Sequence, residues 1–166
     1  MIKKAKTIKF EKVSRVEFKV PGCGVMQTAR IYKEIKIPTR ATEGSAGYDF
    51  YSPISFKLTA DHPIVEIPTG IRVSMPQHVA LLIVPRSGMG WKTGVHLTNT
   101  IGVIDSDYYN ANNEGHIKIK LERGFEDLEV KAGDRIAQGL FLPVFFVEGD
   151  TVNKKKRSGG FGSTGV

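Results

Sequence analysis

Two aspartates directly follow a short apolar run near the middle of the sequence. The run occupies residues 101–104, and Asp105 and Asp107 come after it. A carboxylate held at the end of a buried strand can act as a general base toward a water molecule. In an extended chain both carboxylates would point to one face and Ser106 to the other. An ordinary turn rich in aspartate and tyrosine would have the same composition, so both interpretations stay open.

A second segment carries side chains that suit a phosphate group. Pro85-Arg-Ser-Gly88 directly follows the apolar residues 79–84. Arg86 offers a planar fork of donors and Ser87 offers one hydroxyl. A turn with a surface arginine is the commoner outcome for such a tetrapeptide. One further carboxylate, Asp49, lies in a short strand-like segment at residues 45–50.

The last fourteen residues, 153–166, combine glycines, cations and hydroxyls without a core-building pattern. Gly160-Phe-Gly-Ser-Thr-Gly165 satisfies the G-x-G-x-x-G spacing but lacks the strand and helix of a dinucleotide-binding fingerprint. Glycines let backbone N–H groups approach an anion closely, and Phe161 could stack on a base. The alternative is a solvated tail without a ligand. We expect this tail to be mobile in the empty protein and residues 1–152 to form one β domain.

Metal and cofactor patterns are sparse. Cys23 is the single cysteine, and the four histidines have no ligand spacing, so a zinc site is not supported. A P-loop motif is also missing from the sequence. If the protein uses a metal, oxygen ligands favour Mg²⁺, which commonly bridges substrate phosphates through one or two carboxylates.

Composition limits the class of protein. The chain has 166 residues, of which 40% are hydrophobic, and this suits one globular domain. Apolar runs stay well short of the roughly 18 residues that span a bilayer, and the basic N-terminus does not resemble a signal peptide, so we expect a cytoplasmic protein without a membrane partner. The net charge of +7 is concentrated near both ends. It would attract a polyanion such as nucleic acid or a nucleotide triphosphate, or simply form a solvated surface.

The elements that must position these residues are short strands. Apolar and polar residues alternate at 16–20, 31–37, 71–75 and 116–121, a pattern typical of strands with one buried face. Residues 79–84 and 140–147 are continuous apolar runs, which predicts strands buried on both faces, with Pro143 either interrupting the second or placing it at a sheet edge. A helical period is not sustained over three turns, but one short helical turn is expected at 87–93. The predicted fold class is all-β: a sandwich, barrel or jelly roll.

Five segments, taken in order, resemble the motifs of the trimeric dUTPase family. They are Ala46-Gly-Tyr-Asp-Phe50, Pro85-Arg-Ser-Gly88, residues 99–108, Gly133-Asp-Arg-Ile-Ala-Gln138 and residues 159–165. Any one of them could arise by chance, whereas five in order are specific. The resemblance implies a jelly-roll-like subunit, a homotrimer with shared active sites, Mg²⁺, and hydrolysis of dUTP to dUMP and pyrophosphate. That activity would limit uracil incorporation into DNA and supply dUMP.

The resemblance also implies roles for individual residues. Asp105 resembles the base that activates water, and Asp49 resembles the anchor of a hydrated Mg²⁺. Tyr108 resembles the residue whose ring packs beneath the deoxyribose. Phe161 resembles the aromatic residue whose ring closes over uracil. The other implied substrate contacts are Arg86, Ser87, Gly88 and Gln138 at the phosphates, Asn99, Val103, Ile104 and the backbone of Ile117 and Lys118 near the base, and Lys156, Arg157, Gly162 and Ser163 in the tail.

Three features depart from the family pattern. The tail has Lys156 where the family usually has arginine, so either Lys156 or its neighbour Arg157 serves as the phosphate contact. Residues 109–113 are inserted after the third motif, which would lengthen a hairpin tip next to the uracil contacts. Residues 1–30 have no counterpart, and they could add an edge strand, contact another subunit or bind a partner.

Other functions remain open at this point. A dCTP deaminase would have a similar fold, but its glutamate base and second phosphate-segment arginine are not evident near Arg86 or Asp105. A nucleotide-gated module that binds a regulatory protein would use the inserted tip and the N-terminal segment. A nucleic-acid binder is supported by charge alone, because aromatic residues do not interleave the basic runs.

Overall fold

The computed structural model describes residues 7–151 and Gly159, and in this part of the chain the fold consists mainly of short strands. The predicted tail contacts Lys156, Arg157, Phe161, Gly162 and Ser163 lie outside the described residues. The elements, in chain order, are β1 (Lys9–Lys12), α1 (Val25–Glu34), β2 (Thr39–Arg40), β3 (Tyr48–Tyr51), β4 (Phe56–Leu58), β5 (Ile64–Ser74), β6 (Val79–Pro85), α2 (Ser87–Thr93), β7 (His96–Leu97), β8 (Gly102–Ile104), a 3₁₀ helix (Ser106–Asn110), β9 (Ile117–Glu122), β10 (Leu128–Val130) and β11 (Arg135–Pro143). The all-β prediction is confirmed.

The strands form three antiparallel sheets. The largest has the order β2-β3-β11-β6-β8, the second has the order β1-β5-β9-β7, and β10 pairs with β4 alone. β11 therefore lies between β3 and β6. This order brings strands from three distant parts of the sequence side by side.

One hydrophobic core lies between the two larger sheets. Its fully buried members include Phe50, Leu81 and Ile136 from the five-stranded sheet and Ile67 and Leu121 from the four-stranded sheet. Full burial of such a side chain typically contributes about 1.5–3 kcal/mol to folding. In β9 the apolar residues of the predicted alternation face this core, so the period of two is confirmed there.

Two predicted strands were wrong. Residues 16–20 form a turn and irregular chain, and residues 25–34 form α1 instead of leading into a strand over 31–37. The partly or fully buried residues of this stretch lie at helical spacing: Thr28, Ala29, Ile31, Tyr32 and Ile35. This stripe overlaps the alternation only in part, and its threonine and alanine hide the helical period from a count of large apolar residues.

The apolar run at 79–84 also differs from its prediction. Leu81 and Ile83 are buried, whereas Leu82 and Val84 are only half-buried in the single chain. The prediction that the second run is a strand buried on both faces was wrong: the strand ends at Pro143, where an interruption was one of the two predicted outcomes, and Leu142 is 44% exposed. Downstream of it, Phe145 and Val147 are 88% and 80% exposed.

The expectation of an extended chain through Asp105 and Asp107 was wrong. Asp105 has extended backbone angles (φ −81°, ψ 156°), but Ser106–Asn110 turns into the 3₁₀ helix. The alternation of faces therefore stops at Asp105. The short helical turn predicted at 87–93 is α2.

The N-terminal segment adds an edge strand, one of its three predicted roles. β1 pairs with β5 in antiparallel register from Lys9 opposite Ser74 to Lys12 opposite Ile71. Cys23 is half-buried and is not part of a disulfide. Among the described residues, the helices are too short or too polar to cross a membrane.

Candidate functional site

Three of the predicted motif segments meet on neighbouring strands. In the five-stranded sheet Asp49 of β3 lies opposite Gln138 of β11, and Gln138 lies opposite Val84 of β6. Arg86 follows the last residue of β6. The strand order thus brings together side chains that are up to 89 residues apart in sequence.

Asp49 is held by two arginines. The Nε of Arg86 donates to Oδ1 of Asp49 at 3.0 Å, and an Nη of Arg135 donates to Oδ2 at 3.2 Å. The carboxylate is only 10% exposed, whereas the Arg86 and Arg135 side chains are 30% and 45% exposed. A carboxylate buried to this extent needs such charge-assisted partners. The group keeps a net positive charge at the surface, which suits an anionic ligand.

Arg135 is the functional candidate that sequence reasoning missed. It is part of the fourth motif segment, yet its contact with Asp49 depends on the pairing of β3 with β11. The sequence feature that could have pointed to Arg135 is that it is the one arginine in the fourth motif segment.

Gln138 is fixed by close packing. Its amide Nε2 donates to the carbonyl of Pro85 at 3.2 Å. A Cβ added at Gly47 would lie 2.6 Å from Oε1 of Gln138. A Cβ at position 47 would therefore displace the end of the Gln138 side chain from its present position.

Ser87 and Gly88 begin α2 beside this group, and both are exposed. A Cβ at Gly88 would meet no other atom within 4 Å. Ser87 and Gly88 are thus accessible to a ligand at the end of β6.

Asp105 lies at a different place in the sheet. β8 pairs with β6 so that Ile104 is opposite Leu81, and Asp105 follows Ile104 as the residue that caps the 3₁₀ helix. A cavity of about 570 Å³ adjoins Asp105 and is lined in part by Met75, Val79 and Val144.

The predicted sugar and base contacts lie in the same part of the chain as Asp105. The Tyr108 ring is 3% exposed, and its hydroxyl donates to the carbonyl of His116 at 2.9 Å and accepts from Nδ2 of Asn113 at 2.7 Å. Asn99 is exposed in the turn before β8.

Further predicted base contacts differ in exposure. Val103 is 56% exposed and Ile104 is half-buried. The Ile117 side chain is in the core, and its carbonyl accepts from the Thr69 hydroxyl, whereas Lys118 forms an ion pair with Glu66 at 3.1 Å. The Ile117 carbonyl therefore already has a partner inside the subunit.

Within one chain, the group around Asp49 and the region of Asp105 lie far apart. Asp49 pairs with Gln138, which pairs with Val84, so Asp49 lies level with Val84 of β6. Asp105 follows Ile104, the partner of Leu81, so it lies one residue past the level of Leu81. In addition, β3 and β8 are three strand spacings apart. Strand rise and spacing place the two aspartates roughly 20 Å apart along the backbone. The described residues also contain no group of three His, Cys, Asp or Glu side chains that could hold a metal.

Comparison with known protein families matches a stretch of the chain that includes both the Asp49 group and Asp105. The dUTPase family model matches residues 33–165, which include all five motif segments. The chain belongs to the dUTPase family.

Similar dUTPases are found among bacteria and phages. The deoxyuridine 5′-triphosphate nucleotidohydrolase of Lactococcus lactis is 44% identical over 136 residues, covering 80% of this chain and 89% of that protein. The crystal structure of dUTPase from Streptococcus mutans has 31% identity and a TM-score of 0.65, covering 84% and 98% of the two chains. A dUTPase mutant from phage phi11 of S. aureus, described with a structural Mg(II) ion, shares the fold at a TM-score of 0.62 and 20% identity, covering 90% and 98%. The family prediction made from the five segments is confirmed.

Proposed function

We propose that this dUTPase hydrolyses dUTP to dUMP and pyrophosphate with Asp105 as the base that activates the attacking water. The observation that carries the proposal is the family match, which spans every segment with a predicted site residue. Asp105 takes a proton as the water oxygen bonds to the α-phosphorus. The bond from that phosphorus to the α,β-bridging oxygen breaks, and pyrophosphate leaves.

The phosphates bind at the end of β6. Arg86 presents its guanidinium there, and the Ser87 hydroxyl, the Gly88 backbone and the Gln138 amide add donors. Arg135 adds a second guanidinium, held on Asp49 at 3.2 Å. Fixed cationic donors stabilise the negative charge that develops on the phosphate chain in the transition state.

Mg²⁺ would be held at Asp49 only together with the triphosphate, because the two arginines leave this group with a net positive charge. A single carboxylate with both oxygens already bonded to arginines does not form an all-protein cage, and Mg²⁺ commonly keeps several waters and takes its remaining ligands from substrate phosphates. Asp49 would hold the hydrated ion through water. The bound ion would supply charge neutralisation on the triphosphate.

Base and sugar selection belong to the Asp105 part of the chain. Asn99 and backbone groups near Ile117 and Lys118 pair with uracil, with Val103 and Ile104 beside them. Buried groups that pair with uracil are left unpaired by cytosine, which reverses donor and acceptor. Tyr108 lies under the deoxyribose and excludes a 2′-hydroxyl.

A complete site requires more than one copy of the chain. The Asp49 group and Asp105 are roughly 20 Å apart on one subunit, and this distance exceeds what one triphosphate and one water could bridge. A homotrimer with shared sites provides Asp105 from a neighbouring subunit. The tail residues Lys156, Arg157, Phe161, Gly162 and Ser163 would then close the site. A regulatory protein partner stays a prediction.

Pyrophosphate release from dUTP, dCTP, dTTP and UTP with Mg²⁺ tests the function. The wild type should act on dUTP much faster than on the other three nucleotides, and Asp105→Asn should lose on the order of 10²–10⁴-fold in kcat, the usual contribution of a general base. Asp61→Asn, in an exposed turn between β4 and β5, makes the same change of charge and should keep wild-type activity. Retained activity in Asp105→Asn would remove Asp105 from the mechanism, and ammonia release from dCTP would contradict the reaction.

A further inference from the structure

The N-terminal segment outside the family match contacts the turn that precedes β9. Beyond β1, the N–H of Val13 donates to the Gly70 carbonyl at 3.0 Å, and the N–H of Ser14 donates to Oε2 of Glu114 at 2.7 Å. Glu17 then reaches His116 at 3.3 Å. The contacts of Ser14 and Glu17 thus attach the segment to the part of the chain that contains the predicted sugar contact, and the contact of Val13 attaches it to β5.

The proton on the His116 ring can be assigned from its partners. The backbone N–H of Gly70 donates to Nε2 of His116 at 2.9 Å, and because an N–H can only donate, Nε2 must be the acceptor. The proton of the neutral ring is therefore on Nδ1, which faces Oε1 of Glu17. With the ring only 1% exposed, these two bonds determine its orientation.

The backbone of His116 connects this ring to Tyr108. The His116 carbonyl accepts the Tyr108 hydroxyl at 2.9 Å, and the His116 N–H donates to the Asn113 carbonyl at 3.0 Å. The Asn113 side chain donates to the same hydroxyl. The ring and the carbonyl that holds Tyr108 belong to one residue, so a backbone shift of His116 that follows the loss of a ring hydrogen bond would also displace that carbonyl.

We propose that Glu17 is a positioning residue for substrate selection: it fixes the His116 ring and, through the His116 carbonyl, the place of Tyr108 under the deoxyribose. The proposal rests on the proposed function in so far as Tyr108 contacts the sugar. It assigns the N-terminal segment a role in choosing dUTP over UTP, although that segment lies before the matched residues 33–165.

Steady-state kinetics with dUTP and UTP test the proposal. Glu17→Ala should lower the preference for dUTP over UTP by about tenfold, mainly through a higher KM for dUTP. A displaced Tyr108 ring would hold the sugar in the wrong position. The kcat for dUTP should change by less than about twofold, since Glu17 does not touch the reacting atoms. Glu17→Gln keeps an oxygen that can accept from Nδ1 and should restore most of the preference.

Glu34→Ala is the matched control. It removes the same charge from an exposed position at the end of α1, and it should leave the preference unchanged. A Glu17→Ala protein that melts at a lower temperature but keeps the wild-type preference would overturn the proposal, because Glu17 would then only stabilise the fold.

The ¹⁵N chemical shifts of the His116 ring provide a test independent of activity. The wild type should show the proton on Nδ1, and Glu17→Ala should shift the Nδ1 resonance, because that N–H loses its carboxylate partner while Nε2 still accepts from the Gly70 N–H. If the wild type failed to hydrolyse dUTP, the proposed function would fall while this measurement still decided whether Glu17 fixes the ring. An unchanged Nδ1 resonance in Glu17→Ala would overturn the proposal.

Discussion

The buried ring of His116 makes the stability of the fold depend on pH. Burial lowers the pKa of His116 below its ordinary value of 6.5, and this effect outweighs the carboxylates of Glu17 and Glu114, which act in the opposite direction. Lys118 lowers the pKa further. Because the unfolded chain then binds the proton more readily, the stabilisation is fully present above about pH 6.5. It is lost as the pH falls through the lower pKa of the folded state.

His116→Gln should weaken this dependence on pH. Its amide oxygen can accept the Gly70 N–H and its amide nitrogen can donate to Glu17, but the side chain does not titrate. Melting temperatures measured from about pH 7.5 down to about pH 5.5 should fall less for the variant than for the wild type. His62→Gln, in the exposed turn after β4, should keep the wild-type slope. An equally steep fall in His116→Gln would show that another group causes the dependence.

At the scale of elements, a bulge in β5 is the attachment point of the N-terminal segment. The register of β5 with β9 shifts between Pro68 and Ile71, and Gly70 within the bulge has φ +72°. Its N–H and carbonyl bond to His116 and Val13. A Cβ at this position would collide with Cδ1 of Ile35 and lie 3.2 Å from Cδ2 of Phe18.

Gly70→Ala should therefore lower the free energy of unfolding by about 2–4 kcal/mol, as the sum of backbone strain and overpacking. Urea denaturation measures this loss. The control is Gly44→Ala, in the turn between β2 and β3, where a Cβ would meet no atom within 4 Å and the change should stay within about 0.5 kcal/mol. A loss below about 1 kcal/mol at Gly70 would show that the bulge relaxes easily.

The sequence predicted elements well where one local rule decides the structure. β9 follows from alternation, and α2 was anticipated directly after a continuous apolar strand. α1 was missed because its partly buried stripe includes Thr28 and Ala29, which a count of large apolar residues ignores. The pairing of Asp49 with Arg135 could not be foreseen, because it depends on the register of strands that are far apart in sequence.

At the scale of the whole molecule, the single chain leaves apolar side chains exposed. Phe145, Phe146 and Val147 after β11 are 88%, 61% and 80% exposed, and Val103 on β8 is 56% exposed. Clusters of this kind commonly mark protein interfaces. The half-buried face of β6 at Leu82 and Val84 is consistent with further burial on assembly. Sequence motifs predict the residues of the site, but they do not say which copy of the chain supplies each one.

Mixing two inactive variants tests whether sites are shared. Arg86→Ala should remove a phosphate-binding side chain and Asp105→Asn should remove the general base. Each variant alone should be nearly inactive. When equal amounts are co-expressed and assemble at random, a site built from two different copies has both intact halves in about a quarter of cases. The whole trimer population should therefore show about a quarter of wild-type pyrophosphate release, and trimers purified to contain both chains about a third.

Arg86→Ala mixed with Gln138→Ala is the matched control, because both residues lie in the same half of the site on the same chain. Every site then takes its phosphate-binding residues from a chain that carries one of the two substitutions, so activity should not exceed the average of the two variants. Recovery in the first mixture but not in the second locates Asp105 and the Arg86 group of each site on different subunits. No recovery in the first mixture, from trimers shown to contain both chains, would mean that each chain completes its own site. The roughly 20 Å between the two groups would then have to close by a rearrangement of the five-stranded sheet.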